Sequence, residues 1–207
     1  MAKNSTFDPF IQVGRAVGFV PDKVTLLTDS TPAKGAGAVQ DTTILLRKGT
    51  RKLLKALGYH LPGKRRQLSE QAKALVATYV DQDQKADIDW SDPQQRLAHL
   101  KTLVQDVETA LDLATKQMDD SEVRAIGWLL TKILGDDVER DDSGTLQIAE
   151  GTAPDRVISI TEPEMRHGHK SAAQRFDGFK VSAATEQSSE LTMDIADIPA
   201  NERDGEE

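Results

Sequence analysis

Asp29 closes the short apolar stretch "KVTLL" and is followed by Ser30, Thr31 and the loop "PAKGAG". A lone carboxylate where a strand gives out can turn the chain or cap a helix. It can also be presented to a hard cation such as Mg²⁺, which takes oxygen ligands from rigid elements. A second group is cationic. Arg47, Lys48, Arg51, Lys52, Lys55, Lys64, Arg65 and Arg66 fall in "RKGTRKLLKALGYHLPGKRR", which holds no acidic residue. At helical spacing 48, 52 and 55 share a face, as do 47 and 51. Such a face can neutralise phosphates and release counterions; a solvated helix face is the other reading. A third group is "EMRHGHK". His167 and His169, with Glu164 nearby, have the spacing of a zinc pair, but no third strong ligand is evident. Arg166 and Lys170 read instead as phosphate contacts of a loop. Trp90 and Trp128 read as core anchors.

These residues need elements to hold them. The "KVTLL" stretch predicts a strand over 24–28. Ile44, Leu45, Leu46, Leu53, Leu54 and Leu57 recur at helical spacing behind a capping Asp41, and Gly58 and Pro62 stop the helix. A further helix starts at Ser69. Another starts with Asp92 as its cap and Pro93 at its first position, where the missing N–H costs nothing. Its apolar residues fall at 97, 100, 104, 107, 111, 114 and 118, a heptad seam that predicts antiparallel packing on 121–134. "GDDVERDDSG" reads as an acidic loop. Beyond residue 150 the apolar period shortens to two. "DRVISIT" predicts a brief strand, and "GFKVSAATE" with "SELTMDIADI" predicts a hairpin.

Composition sets the limits. The chain has 207 residues and no cysteine, which excludes a disulfide scaffold and a thiolate zinc site. Its start, "MAKNSTFDPF", lacks the apolar core of a signal peptide, and no apolar run approaches membrane length. The expectation is a cytoplasmic, bacterial-type protein that takes no membrane and no small-molecule substrate as partner. The net charge of −8 conceals an asymmetry. Residues 1–66 carry 12 Lys+Arg and 4 Asp+Glu, whereas the rest is strongly acidic. A basic segment on an acidic protein suggests a polyanionic partner.

Two distant segments share a pattern. Asp29-Ser30-Thr31 ends the first strand. Thr161-Glu162-Pro163-Glu164-Met165-Arg166 is followed by Lys170-Ser171, then by Phe176-x-Gly178-Phe179-Lys180, and "DIPANERD" closes the hairpin. In order and spacing this resembles the DDE transposases of bacterial insertion sequences, whose catalytic core is RNase H-like. The resemblance runs from about residue 20 onward. It implies a mixed α/β fold: a partial RNase H-like sheet, made of strand 24–28 and the C-terminal hairpin, carrying a large helical insertion. It implies Asp29 as first catalytic carboxylate and ligand of Mg²⁺ or Mn²⁺, and Lys180 among the residues facing DNA.

The resemblance also implies a division of the chain. Residues 1–22 are a lead-in, a remnant of an N-terminal helical domain. Residues 23–62 carry the first core strand, loop and basic helix, 63–150 the helical insertion, 151–200 the core strands and hairpin, and 201–207 a disordered acidic tail. The family's second Asp and its Glu lie on elements past the hairpin, and Asp194, Asp197 and Asp204 are poor substitutes. The expectation is therefore an internal piece of a transposase, inactive alone. Its partners are double-stranded DNA at insertion-sequence ends and, in a homo-oligomer, a second copy of the chain; the 97–118 seam serves oligomerisation only in the alternative reading. The alternative is a non-catalytic DNA-binding or oligomerising remnant.

Overall fold

The structure, a computed structural model, describes residues 6–83, 85–171 and 174–202. Asp204 and the tail from residue 203 lie outside the described residues, as does the side chain of Lys170. The fold is mixed α/β, with five α-helices and two antiparallel sheets among the described residues. The chain divides into two compact units, residues 1–36 with 164–207 and residues 37–163. The basic helix lies in the second of these units.

The first unit is built on a four-stranded antiparallel sheet. Helix α1 (Asp8–Ala16) precedes strand β1 (Leu26–Lys34). The remaining strands are β4 (Arg166–Ser171), β5 (Gln174–Glu186) and β6 (Thr192–Pro199). β5 is the hub: β1 runs along one side of it, while β6 and β4 share the other. The expected neighbours, first strand and hairpin, do lie in one sheet. Two details differ. β1 continues to Lys34, through the loop assigned to "TPAKG", because Pro32 sits on an edge strand where a missing N–H is tolerated. "RHGHKS" is strand β4 rather than a loop; its polar side chains hide the period-two signal on which a strand prediction rests.

Register explains the glycine in Phe176-x-Gly178-Phe179-Lys180. Gly178 pairs with Lys34 at φ +149°, beside the end of β1. A Cβ there would lie 2.2 Å from the Ala33 carbonyl oxygen and 2.4 Å from the Gly35 nitrogen. Only glycine lets the two backbones meet.

The β5–β6 turn is fastened by Glu186, a buried carboxylate that accepts the hydroxyls and backbone N–H groups of Ser188 and Ser189 at 2.7–3.1 Å. Ser189 above all, then Ser188, holds its pKa down from 4.5 to about 2. A depressed carboxylate stabilises the fold fully above its unfolded pKa and loses that contribution as pH falls through the folded value. Amide protection around 185–192 should therefore fall between about pH 4.5 and 2. Glu186→Gln should lack that step in hydrogen exchange; an identical pH profile in the variant would contradict the assignment.

The second unit is a helical bundle around α2 (Thr42–Ala56). Asp41 caps it by accepting from the Ile44 N–H at 2.8 Å. Leu45, Leu46, Leu53 and Leu54 are completely buried. Helix α3 (Glu70–Val76) starts on Ser69 and runs into a π-helical turn over Ala77–Gln82. Helix α4 (Pro93–Ala114) starts on Asp92, and α5 (Ser121–Asp137) on Asp120. The seam of α4 turns into this core rather than outward. Leu100, Val104, Val107 and Ala114 are buried, Leu97 and Leu111 half-buried, and Met118 exposed. α2 packs against both α4 and α5, so the bundle has a central helix and is not a simple α4–α5 hairpin. Gly49 permits close approach: a Cβ there would lie 2.5 Å from Leu130 of α5.

The unit closes with a small hairpin, β2 (Val138–Arg140) and β3 (Leu146–Ile148), where the sequence predicts an acidic loop. Asp141 accepts from Ser143 and Thr145, which makes the turn. "DRVISIT" is not a strand. Val157, Ile158 and Ile160 are buried there outside any regular element, and the Ile158 carbonyl accepts the Gln40 N–H.

Candidate functional site

Asp29 lies within β1, not at its end, and is exposed. It pairs with Ala183, which pairs with Ile195; one step along, Thr31, Val181 and Asp197 form the next row. Directly paired residues and their i±2 neighbours share a face. Asp29 and Asp197 are thus on one face, two strands apart, and Asp194 is on the other. That shared face is open: Leu27 and Ile195 are about half exposed, at 55% and 51%. One Asp29 oxygen accepts its neighbour's N–H, from Ser30 at 2.9 Å. Among the described residues no group of three His, Asp or Glu is placed to hold a metal ion. The donor set of these residues does not fit a two-cation centre, which needs several carboxylates converging on ions about 4 Å apart.

The basic segment divides in the structure. Arg47 and Arg51 both pair with Asp83, Arg47 at 2.6 Å. Arg65 makes a two-pronged contact with Asp81, both bonds 2.8 Å. Lys52 donates to the Ile160 carbonyl at 3.4 Å. These four brace the bundle, and their charges are shared with protein acceptors. Lys48, Lys55, Lys64 and Arg66 are exposed. The sequence cannot separate the two sets, because Asp81 and Asp83 arrive from a later turn.

No family model, curated protein or solved structure matches this chain.

Three further cations were expected to face DNA. Lys180 is only 8% exposed, and its Nζ donates to the Glu202 carbonyl at 2.6 Å. It ties β5 to the turn after β6. Arg166 is half-buried and donates to the Met165 carbonyl at 3.0 Å. The Lys170 side chain lies outside the described residues. His167 and His169 project from β4. His167 faces Asp177 across the β4–β5 pair at 2.5 Å, a cross-strand contact in place of the zinc pair considered from spacing.

Neither tryptophan is a core anchor. Trp90 is 50% and Trp128 62% exposed. Trp90 stands edge-to-face against His99, with ring centres 5.8 Å apart. In the same unit the Tyr79 hydroxyl donates to Asp106 at 2.6 Å. Burial first, then Asp106, drives the phenol pKa far above its ordinary value, and burial raises that of Asp106. Trp90 and His99 border a pocket of about 440 Å³ with Ile44, Arg47, Lys48 and Lys85. Sequence reading missed this group; its only linear signal is an indole and an imidazole nine positions apart around a helix start.

No helix among the described residues is long and apolar enough to cross a membrane.

Proposed function

We propose that this chain is a DDE-type transposase whose strands belong to an RNase H-like core, and that its described residues bind double-stranded DNA and do not cut it unaided. The observation that carries the reading is one strand pairing. Asp29 and the Phe176-x-Gly178-Phe179-Lys180 motif, nearly 150 residues apart, sit on adjacent antiparallel strands, and β6 pairs on the far side of β5. That is the arrangement the resemblance requires of its first three core strands. The backbone contact at Gly178 gives the motif a structural purpose consistent with it.

The chemistry follows from the residues. Mg²⁺ or Mn²⁺ would supply charge stabilisation on the attacking and leaving oxygens of a phosphodiester in the intact family enzyme. Among the described residues, Asp29 is the one carboxylate that the resemblance assigns to it. An exposed single carboxylate holds a hydrated Mg²⁺ weakly, since most of the ion's shell stays water. Supercoiled plasmid is therefore expected to stay uncut in Mg²⁺ or Mn²⁺, by this chain and by Asp29→Asn alike. Metal-dependent nicking that disappears in the variant would overturn this and bring Asp197, on the same face, into the site.

Binding to duplex DNA runs through the exposed cations Lys48, Lys55, Lys64 and Arg66, with little sequence preference. Log affinity should fall linearly with log salt. Replacing Lys55, Lys64 and Arg66 together by Ala should flatten the slope by about 2–3, close to 0.9 for each phosphate no longer neutralised. Arg51→Ala is expected to leave the slope unchanged, because Asp83 already occupies that guanidinium. An unaltered slope in the triple variant would remove DNA from this face.

A further inference from the structure

The pocket beside Trp90 has no part in the carboxylate site, and its lining is chemically specific. Trp90 is held in place while half of its surface stays bare: His99 packs edge-to-face, and the Arg96 guanidinium donates to the Trp90 carbonyl at 2.8 Å. An indole positioned in this way is a platform for a planar ring. The charges around it are unevenly committed. Arg47 is paired with Asp83. Asp41, the carboxylate in the wall, already accepts the Ile44 N–H and the Thr43 hydroxyl at 2.8 and 2.7 Å. Burial lowers the His99 pKa, against an opposing pull from Asp106. Lys48 and Lys85 remain as exposed ammonium groups on the same pocket.

A ring platform flanked by two lysines selects a ligand with a flat face and a compact anion. We propose that this pocket binds one nucleotide unit, its base against Trp90 and its phosphate between Lys48 and Lys85. Lysine suits a phosphate as a point charge, needing no planar fork. The volume is in the range of small-molecule sites, about 300–1,000 Å³. An uncharged apolar ligand would make no use of the two ammonium groups, and phosphate alone would leave the indole bare. The inference goes beyond the transposase reading, since it rests on the helical unit alone. A free nucleotide and a nucleotide within a single strand present the same chemistry.

The test uses the full chain with Trp128→Phe, so that Trp90 is the only indole reporter. Its fluorescence is titrated with deoxyadenosine 5′-monophosphate, a short single-stranded oligodeoxynucleotide, deoxyadenosine and inorganic phosphate. Saturable quenching by the nucleotide and the strand is expected, with deoxyadenosine and phosphate each weaker by about tenfold or more. Equal affinity for nucleotide and strand would identify a free nucleotide as the ligand, and a preference for the strand would identify a strand. Changing Lys48 and Lys85 together to Met should weaken binding about tenfold or more. Trp90→Leu, followed by calorimetry, should do the same. All of these side chains are at the surface, and circular dichroism would verify that the variants fold. Absence of saturable quenching, unchanged affinity in the double-lysine variant, or phosphate binding as tightly as the nucleotide would each overturn the proposal. Lys48 is shared with the duplex face, but the Lys55, Lys64 and Arg66 triple variant leaves it in place and tests duplex binding separately, so either idea can fail while the other stands.

Discussion

Asp137→Ala is expected to destabilise the helical unit by about 3–5 kcal/mol, the cost of stranding one member of a buried ion pair. Asp137 ends α5 and is 4% exposed. Its carboxylate accepts two bonds from Arg156, both 2.7 Å, and one from the Thr42 hydroxyl at 2.8 Å. Thr42 opens α2, so one side chain ties the end of α5, the start of the central helix and the segment leading to Ile158 and Ile160. Removing it leaves a guanidinium that is largely out of solvent and a hydroxyl without its acceptor. Asp137→Asn keeps the shape and some of the bonds and should cost less. Replacing Asp137 by Leu together with Arg156 by Met should recover much of the loss, because a well-packed apolar pair avoids desolvating two charges. Urea unfolding followed by tryptophan fluorescence reports on this unit, which contains both indoles. A loss below about 1 kcal/mol in the alanine variant would mean that water already reaches the pair.

Gly178→Ala should break the union of β1 and β5. The residue's positive φ, +149°, costs a side chain about 1–3 kcal/mol in strain. The overlap with the Ala33 carbonyl and Gly35 nitrogen cannot be relieved by a rotamer change, since both are backbone atoms. Forced overpacking adds about 1–3 kcal/mol. A total of about 2–6 kcal/mol is large against the margin of a small folded unit. Amide exchange along Leu27–Lys34 should accelerate accordingly, with α4 and α5 unaffected. Gly63→Ala is the control: nothing lies within 4 Å of its would-be Cβ, and its change should stay within about 0.5 kcal/mol. Unchanged protection of β1 would show that the strand pairs without the close approach at Gly178.

Helix starts are written in single residues and their immediate neighbours. Asp41, Ser69 and Asp92 each place a side-chain oxygen on an orphan N–H two or three positions later, and each opens a helix where its local sequence indicates. The hairpin of β5 and β6 was legible for a related reason: alternation around a serine turn is a local pattern. β4 and the β2–β3 hairpin were not legible, because "RHGHKS" and "VERDDSGTLQI" carry too few apolar residues for a period to register. Their strands exist through ladder bonds to partners.

The sequence by itself determined which residues are apolar at helical spacing, where helices begin, that the cations cluster before residue 67, and that Asp29 follows an apolar stretch. Tertiary structure decided what those residues are available for. It turned the α4 seam inward against α2, set Asp29 inside an open sheet face, and tied Arg47, Arg51 and Arg65 to Asp83 and Asp81. It also buried Lys180 while leaving Trp90 bare beside two lysines. The physical reason is one of range. A cap or an apolar period is fixed by neighbours a few positions away. Whether a charge is free and which way a ring faces depend on groups brought close only when distant segments pack.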